Sequence, residues 1–259
     1  MNPLHDHLEA MLTRLKLTAI RDGLDTLLDE AARRQLSLAD TLAFLCEAEI
    51  ARKDHRRIAM GLSIAKFPFV RTLDDFEFDA QPSVDRRQLT ELATGRWVAN
   101  GDTLLLLGPP GVGKTHLAVA LGREAIHRGY SVLFIPAAVL TANLVQAYRQ
   151  GRFEEKLSQY SKPKLLIVDE LGYLPLEPEA SHLLFQLVAR RYERGSIMVT
   201  SNRAVGEWGS VFGDPVVATA ILDRLLHHSH VLTIRGESCR LKEKRRSGLL
   251  KTQAAESET

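Results

Sequence analysis

TLLLLGPPGVGKTHLAVALG, residues 103–122, decides the fold. A short aliphatic run of strand length ends at a glycine, a glycine-rich loop follows, and apolar residues then recur at helical spacing. Strand, loop and helix in that order are the context that G-x-x-x-x-G-K-[ST] requires. Glycines let the backbone N–H groups turn inward and approach phosphate oxygens closely, and the helix N-terminus adds its dipole. Gly108, Pro109, Pro110, Gly111, Val112, Gly113, Lys114, Thr115 and His116 are therefore the expected cradle of a nucleoside triphosphate, ATP. Lys114 is expected at the β and γ phosphates and Thr115 on Mg²⁺.

The same grammar continues outward. SVLFI (131–135), LLIV (165–168), IMVT (197–200) and VLTI (231–234) are further short β-branched or aliphatic runs. Helical patterns lie between them near 114–128, 137–160, 179–194 and 216–228. Strands alternating with helices predict an α/β domain, a five-stranded parallel sheet between layers of helices. Upstream the pattern is all helical. Leu4, Leu8, Met11, Leu12, Leu15 and Ala19 share one face, and Ser37 with Asp40 three residues on opens a second helical segment. AKFPFVRTLDDFEFDAQPSVD (65–85), with two prolines and four phenylalanines, breaks the periodicity, and a helix over roughly 84–98 leads onward. The expected division is a small all-α N-terminal domain for partners or oligomerisation at 1–65, a linker at 66–85, an ATPase domain at 86–250 and a disordered tail at 251–259.

Composition fits a globular chain, with 45% hydrophobic and 25% charged residues. Cys46 and Cys239 lie far apart and outside any C-x-x-C pattern, which argues against a disulfide framework or a zinc site. No apolar run approaches a membrane span, and the N-terminus carries acids and histidines where a signal peptide would be basic. The expectation is a cytoplasmic protein with no membrane partner. The net charge is only +2, yet 235–251 holds seven basic and two acidic residues, either a phosphate-binding tail or a solvated end.

Three more stretches carry candidate chemistry. LLIVDE (165–170) delivers two acids from the end of a buried strand, 55 residues after Lys114 in the case of Asp169 (169 minus 114). Asp169 is expected to hold Mg²⁺ and Glu170 to act as general base on the attacking water, the alternative being two solvated surface acids. In IMVTSNR (197–203), Asn202 either orients that water or is an ordinary turn residue. In ILDRLLHH (221–228), Arg224 is the one arginine on an apolar helix. It either pairs with Asp223 or a nearby acid, or reaches the γ phosphate of a neighbouring subunit in trans. His227, His228 and His230 suggest a metal, but no carboxylate or cysteine stands at ligand spacing, and the dipole of a helix C-terminus accounts for them.

GPPGVGKTHLA, LIVDELGYLP, TSNR and DRLLH, in that order, resemble an AAA+ ATPase of the initiator and helicase-loader branch. More narrowly, DELGYLPL with SNR, the ending IRGESCRLKEKR and the N-terminal LKLTAIRDGLDTLL, ARKDHRR and KFPFVRTLDDFEF resemble the IstB-like helper ATPases of insertion sequences, over nearly the whole chain. The resemblance implies a homo-oligomer, ring or helical row, that binds ATP and Mg²⁺, assembles on double-stranded DNA without strong sequence preference and delivers it to a transposase. It also puts Lys114, Thr115, Asp169, Glu170, Asn202 and Arg224 on the family's catalytic positions, and Phe76 and Phe78 at either the adenine pocket or an interdomain core. After VLTI about 25 residues remain, too few for the full helical lid of the broader AAA+ pattern, which leaves Arg240 the one nearby lid candidate. A C-terminal helix-turn-helix has no room either.

The family also carries an extra helical element before LLIVDE. Here it is TANLVQAYRQGRFEEKLSQYSKPK, with Arg149, Arg152, Lys156, Lys162 and Lys164 and only two acids. These are either DNA-phosphate contacts or the polar side of a solvated helix pair. A DnaC-like helicase loader is the alternative function within the same chemistry. A small-molecule P-loop kinase and a purely structural nucleotide-binding protein are the readings outside it.

Overall fold

The computed structural model describes residues 3–236 and 238. Contacts divide the chain into two units, 1–60 and 61–259.

The first unit is helical throughout. The face expected over 4–28 is cut into α1 (Pro3–Arg14), α2 (Thr18–Asp22) and α3 (Leu24–Arg33), with breaks at Lys16, which takes φ 58°, and at Gly23. Then α4 (Leu38–Ala65) opens behind Ser37, whose hydroxyl accepts from the Asp40 N–H at 3.2 Å. Leu12, Ile20 and Leu24 form a small core with Leu8, Leu17 and Leu45 around it. Glu49 is buried because its carboxylate does a cap's work from a distance: it accepts from the N–H groups of Ala19 (2.7 Å) and Ile20 (3.2 Å) at the start of α2. Burial pushes its pKa up, but those two N–H groups and Lys53 outweigh burial and hold the carboxyl below its ordinary range.

In the second unit, residues 66–85 carry one short 3-10 turn, and Phe76, Gln81 and Val84 are buried. The single helix expected over 84–98 is two, α5 (Arg86–Ala93) and α6 (Arg96–Asn100), separated at Gly95 with φ 72°. The sheet comprises β1 (Thr103–Leu107), β2 (Val132–Pro136), β3 (Leu165–Asp169), β4 (Ser196–Ser201) and β5 (Ser229–Thr233). All pairings are parallel and the order is β2-β3-β4-β1-β5, so the expected five-stranded parallel sheet is present and LLIV does lie beside IMVT.

The helices that cover it are α7 (Lys114–His127), α8 (Ala137–Arg149), α9 (Phe153–Ser161), α10 (Pro178–Arg191), α11 (Trp208–Phe212) and α12 (Pro215–His227). The pattern over 137–160 is broken into α8 and α9 where Gly151 takes φ 68°. Every residue of β1, β3 and β4 is buried, as a sheet covered on both faces demands. Leu140 and Leu144 of α8, Leu183 and Leu187 of α10, and Ile221 and Leu225 of α12 close one face, together with Trp208 and Phe212. The outer strand β5 is half-buried and admits Ser229 and His230 at its start, which is why its beginning escaped a reading based on aliphatic runs.

At the N-terminal ends of the strands one side chain gathers three segments. Arg191, 1% exposed, donates to the carbonyls of Tyr160 (2.8 Å), Pro163 (3.0 Å), Lys164 (3.3 Å) and Ser196 (2.7 Å). Burial lowers its pKa to about 10, which still leaves it charged at neutral pH. Among the described residues no helix is long and apolar enough to cross a membrane. Cys239, Arg240 and the tail at 251–259 lie outside the described residues, as does the basic stretch 235–251 except for Arg235, Gly236 and Ser238.

Candidate active site

The C-terminal ends of β1, β3 and β4 open into one cleft, as open parallel sheets favour. It measures about 700 Å³ and is lined by Pro110, Gly111, Gly113, Lys114, Thr115 and His116 of the loop, Glu170 and Asn202, and also Phe69, Arg71 and Tyr173.

The loop's path needs its glycines. Gly108 takes φ 151°, and a Cβ there would lie 2.2 Å from the Ile234 carbonyl oxygen. Gly113 takes φ 99°, and its Cβ would lie 2.8 Å from the Phe76 ring. Lys114 is buried, and its Nζ donates to the carbonyls of Gly108 (2.8 Å) and Pro109 (2.7 Å), so the ammonium sits inside the loop's own curve.

Asp169 is the hub. The Thr115 hydroxyl donates to its carboxylate at 3.0 and 3.2 Å, and the Thr200 hydroxyl donates at 2.6 Å. Thr200 in turn accepts the Glu170 N–H at 2.8 Å through the same oxygen. The Leu171 N–H donates to the Thr200 carbonyl (2.9 Å), and the Ser201 hydroxyl donates to the Leu171 carbonyl (2.6 Å). The end of β4 thus grips the turn after β3 from both sides. Glu170 is held there at φ 60°, a left-handed conformation that costs a non-glycine residue about 1 kcal/mol, and its side chain is exposed to the cleft. A hydroxyl beside a carboxylate is a hard oxygen donor set, so Thr115 and Asp169 fit Mg²⁺ better than a softer metal.

The structure therefore brings together the loop, Thr115, Asp169, Glu170 and Asn202. Sequence reasoning passed over Thr200, although the hydroxyl stands two positions before Asn202 in the same TSNR run. Phe69 and Arg71 lie within KFPFVRTLDDFEF and Tyr173 within DELGYLPL, but nothing local to those stretches singled the three out as lining the cleft. His116 also borders the cleft, where a ring nitrogen lies 2.9 Å from the Thr72 carbonyl and the ring meets Phe76 edge-on at 5.4 Å. The Thr72 hydroxyl and N–H bind the Asp75 carboxylate, hold its pKa below the ordinary range and tie that turn together. Phe76 is buried against Gly113 and Phe78, and Phe78 lies under the Arg86 guanidinium at 4.2 Å.

Arg224 is not part of this cleft. It lines a small pocket with Thr103 and Ile197 at the opposite ends of β1 and β4, roughly 13 Å of strand away from the loop. Its Nη1 donates to the Ala220 carbonyl at 2.9 Å, and its guanidinium lies 4.9 Å from the Phe185 ring centre. Among the described residues it has no ion pair with Asp223. Of the basic residues of 141–164, Arg149, Arg152, Lys156 and Lys164 make surface contacts of their own. Arg149 pairs with Glu179 (2.7 Å), Arg152 pairs with Glu155 (3.0 Å), and the Lys156 ammonium donates to Gln159 (3.0 Å). Arg152 and Lys156 border a polar groove beside α8, whereas Lys162 is exposed and Lys164 stands just before β3.

A family profile described as IstB-like ATP binding protein matches residues 10–247. The insertion sequence IS21 putative ATP-binding protein of Pseudomonas aeruginosa is 46% identical over 243 residues, covering 94% of this chain and 92% of that protein. The insertion sequence IS5376 putative ATP-binding protein of Geobacillus stearothermophilus is 47% identical over 232 residues, covering 90% and 92%. Among solved structures, AMPPCP-bound DnaA from Aquifex aeolicus superposes with a TM-score of 0.56 at 21% identity, covering 74% of this chain and 58% of that one. At that identity the likeness concerns the AAA+ fold.

Proposed function

The chain belongs to the IstB-like ATP-binding family of insertion sequences, and from that premise we propose that it is a cytoplasmic ATPase that multimerises on double-stranded DNA and delivers it to a transposase. The observation that supports hydrolysis most directly is the chain of hydrogen bonds from Thr115 through Asp169 and Thr200 to the Glu170 backbone. It ties the loop, the metal-site acid and the candidate base to one buried hydroxyl.

On this reading residues 108–116 hold the triphosphate of ATP, with Lys114 at the β and γ phosphates. Thr115 and Asp169 hold Mg²⁺, which when bound neutralises charge on the phosphate oxygens. Glu170 accepts a proton from the water that attacks the γ phosphorus, Asn202 orients that water, and the bond to the β–γ bridging oxygen breaks. Arg224 completes the site of a neighbouring subunit, which agrees with its lying at the other end of the sheet from its own loop. Arg149, Arg152, Lys156, Lys162 and Lys164 contact DNA phosphates. The present partners of Arg149, Arg152 and Lys156 are two surface acids and an amide, worth little individually and open to exchange.

The test is ATP turnover with duplex DNA, single-stranded DNA and no DNA, with oligomer size followed in parallel. Duplex should stimulate most, and its affinity should fall steeply with salt while varying little with sequence. Stimulation by single strands alone would instead favour a helicase loader. Glu170→Gln should stop turnover, keep ATP binding and trap the multimer on DNA. Arg224→Ala and Lys114→Ala should each be inactive alone and recover activity when mixed, and mixtures that stay inactive would remove Arg224 from its role in trans.

A further inference from the structure

The fold supplies what the local sequence around the histidines lacks. His227 and His228 close α12, and the turn after α10 brings Glu193 to them across 34 residues of chain (227 minus 193). One ligand atom of each lies within 4.8 Å of the other two. The geometry points to a binding site for a divalent transition-metal ion of the Zn²⁺, Co²⁺ or Ni²⁺ class, held by Glu193, His227 and His228 and separate from the nucleotide cleft.

Adjacent residues inside a helix point about 100° apart, so two successive histidines ordinarily cannot share an ion. Here the helix ends between them: His228 has φ −121° and ψ 80°, and the ring centres come to 4.1 Å. Glu193 reaches over from a left-handed turn with φ 59°, placing Oε1 3.7 Å from Nε2 of His228. The Tyr192 hydroxyl lies 2.6 Å from Nδ1 of His227, an outer partner of the kind that fixes a ligand ring. Zn²⁺ at about 2.0–2.2 Å from three tetrahedral ligands needs them roughly 3.3–3.5 Å apart. The three side chains are exposed, which leaves their side-chain torsions free to bring the donors to that spacing when an ion binds. Two imidazoles and a carboxylate suit these metals rather than Mg²⁺. Two cations of the neighbouring helices are engaged elsewhere, Arg191 on backbone carbonyls and Arg224 on Ala220 and Phe185. His230 belongs to a different pair, with Asp102 at 3.4 Å.

The experiment uses the full chain, stripped with EDTA, dialysed and free of nucleotide. Zn²⁺ alone is titrated in competition with a chromophoric chelator, and Co²⁺ is followed by its visible d–d absorption. The wild type should bind one equivalent at this site, and His227→Ala, His228→Ala and Glu193→Gln should each weaken binding at least about tenfold. His230→Ala should leave it unchanged. All four positions are at the surface or half-buried, and a far-ultraviolet spectrum checks that each variant is folded. No bound Zn²⁺ in the wild type, unchanged affinity in Glu193→Gln or His228→Ala, or an equal loss in His230→Ala would overturn the assignment.

Discussion

Thr200→Val tests the central claim about the site, that one buried hydroxyl positions both acids. Valine keeps nearly the volume of threonine in a side chain that is 0% exposed, so packing is preserved and polarity alone is removed. Two interactions go. The 2.6 Å bond from the hydroxyl to the Asp169 carboxylate is charge-assisted and contributes about 1.5–3 kcal/mol. The Glu170 N–H loses its part-buried acceptor at 2.8 Å, which costs about 1 kcal/mol, the low end for an unsatisfied donor because Glu170 itself is exposed. The expected loss is thus about 2.5–4 kcal/mol, read as a lower urea midpoint. Leu171 stays bonded to the Thr200 carbonyl and the Ser201 hydroxyl, but the Glu170 backbone itself loses its only tie to the Thr200 side chain and has less reason to keep its left-handed conformation. A displacement of about 1 Å in a reacting group costs on the order of 100-fold in rate, so turnover should fall about 10- to 100-fold while ATP affinity changes little. Thr200→Ser, which keeps the oxygen, should restore most of both. A Thr200→Val protein with wild-type midpoint and wild-type turnover would show that this hydroxyl positions neither acid.

Gly108→Ala adds a Cβ 2.2 Å from the Ile234 carbonyl in a backbone conformation that L-residues avoid; a loss of about 2–6 kcal/mol is expected as a lower melting temperature, and an unchanged melt would contradict it. Arg191→Lys replaces a planar fork on four carbonyls with a single ammonium and should lower stability by about 3 kcal/mol in urea, with a change under about 1 kcal/mol counting against the role described. Glu49 has a folded-state pKa below its unfolded value, so its contribution is present above the ordinary carboxylate range and lost as pH falls through the folded value. Protection of the Ala19 and Ile20 amides against hydrogen exchange should therefore decline with acid in the wild type and be low already at neutral pH in Glu49→Ala, which has no side-chain acceptor. Equal protection in both proteins would remove Glu49 as the cap of α2.

What the sequence disclosed was whatever local chemistry writes into consecutive residues. The strand TLLLL, the loop and the acids at the end of LLIVD could be read because aliphatic runs, glycines and terminal acids each have a local cause. Gly95 and Gly151 broke helices that periodicity alone carried straight through, since a smoothed apolar pattern gives one residue's left-handed φ no weight. Thr200 was missed because its importance lies in the pairing of β4 with β3, which places it opposite Asp169 rather than beside it in the chain. Glu193 was invisible for the same reason: only the packing of α10 beside α12 makes it a neighbour of His227 and His228. Arg224 could be singled out as the lone arginine of its helix, yet which end of the sheet it faces was a property of the fold.

That α12 carries Arg224 at the opposite end of the sheet from the loop has a consequence for assembly. If a protomer's finger serves the next protomer's cradle, the contact is heterologous, with two different surfaces meeting, and every assembly built from it has a direction. A closed ring then completes all of its cradles. An open row always leaves a cradle without its arginine at one extremity and an arginine without a cradle at the other, one fewer completed site than subunits. Specific activity would then rise with the length of the row and level off, and the two termini would differ chemically. Only one of them could hydrolyse itself loose.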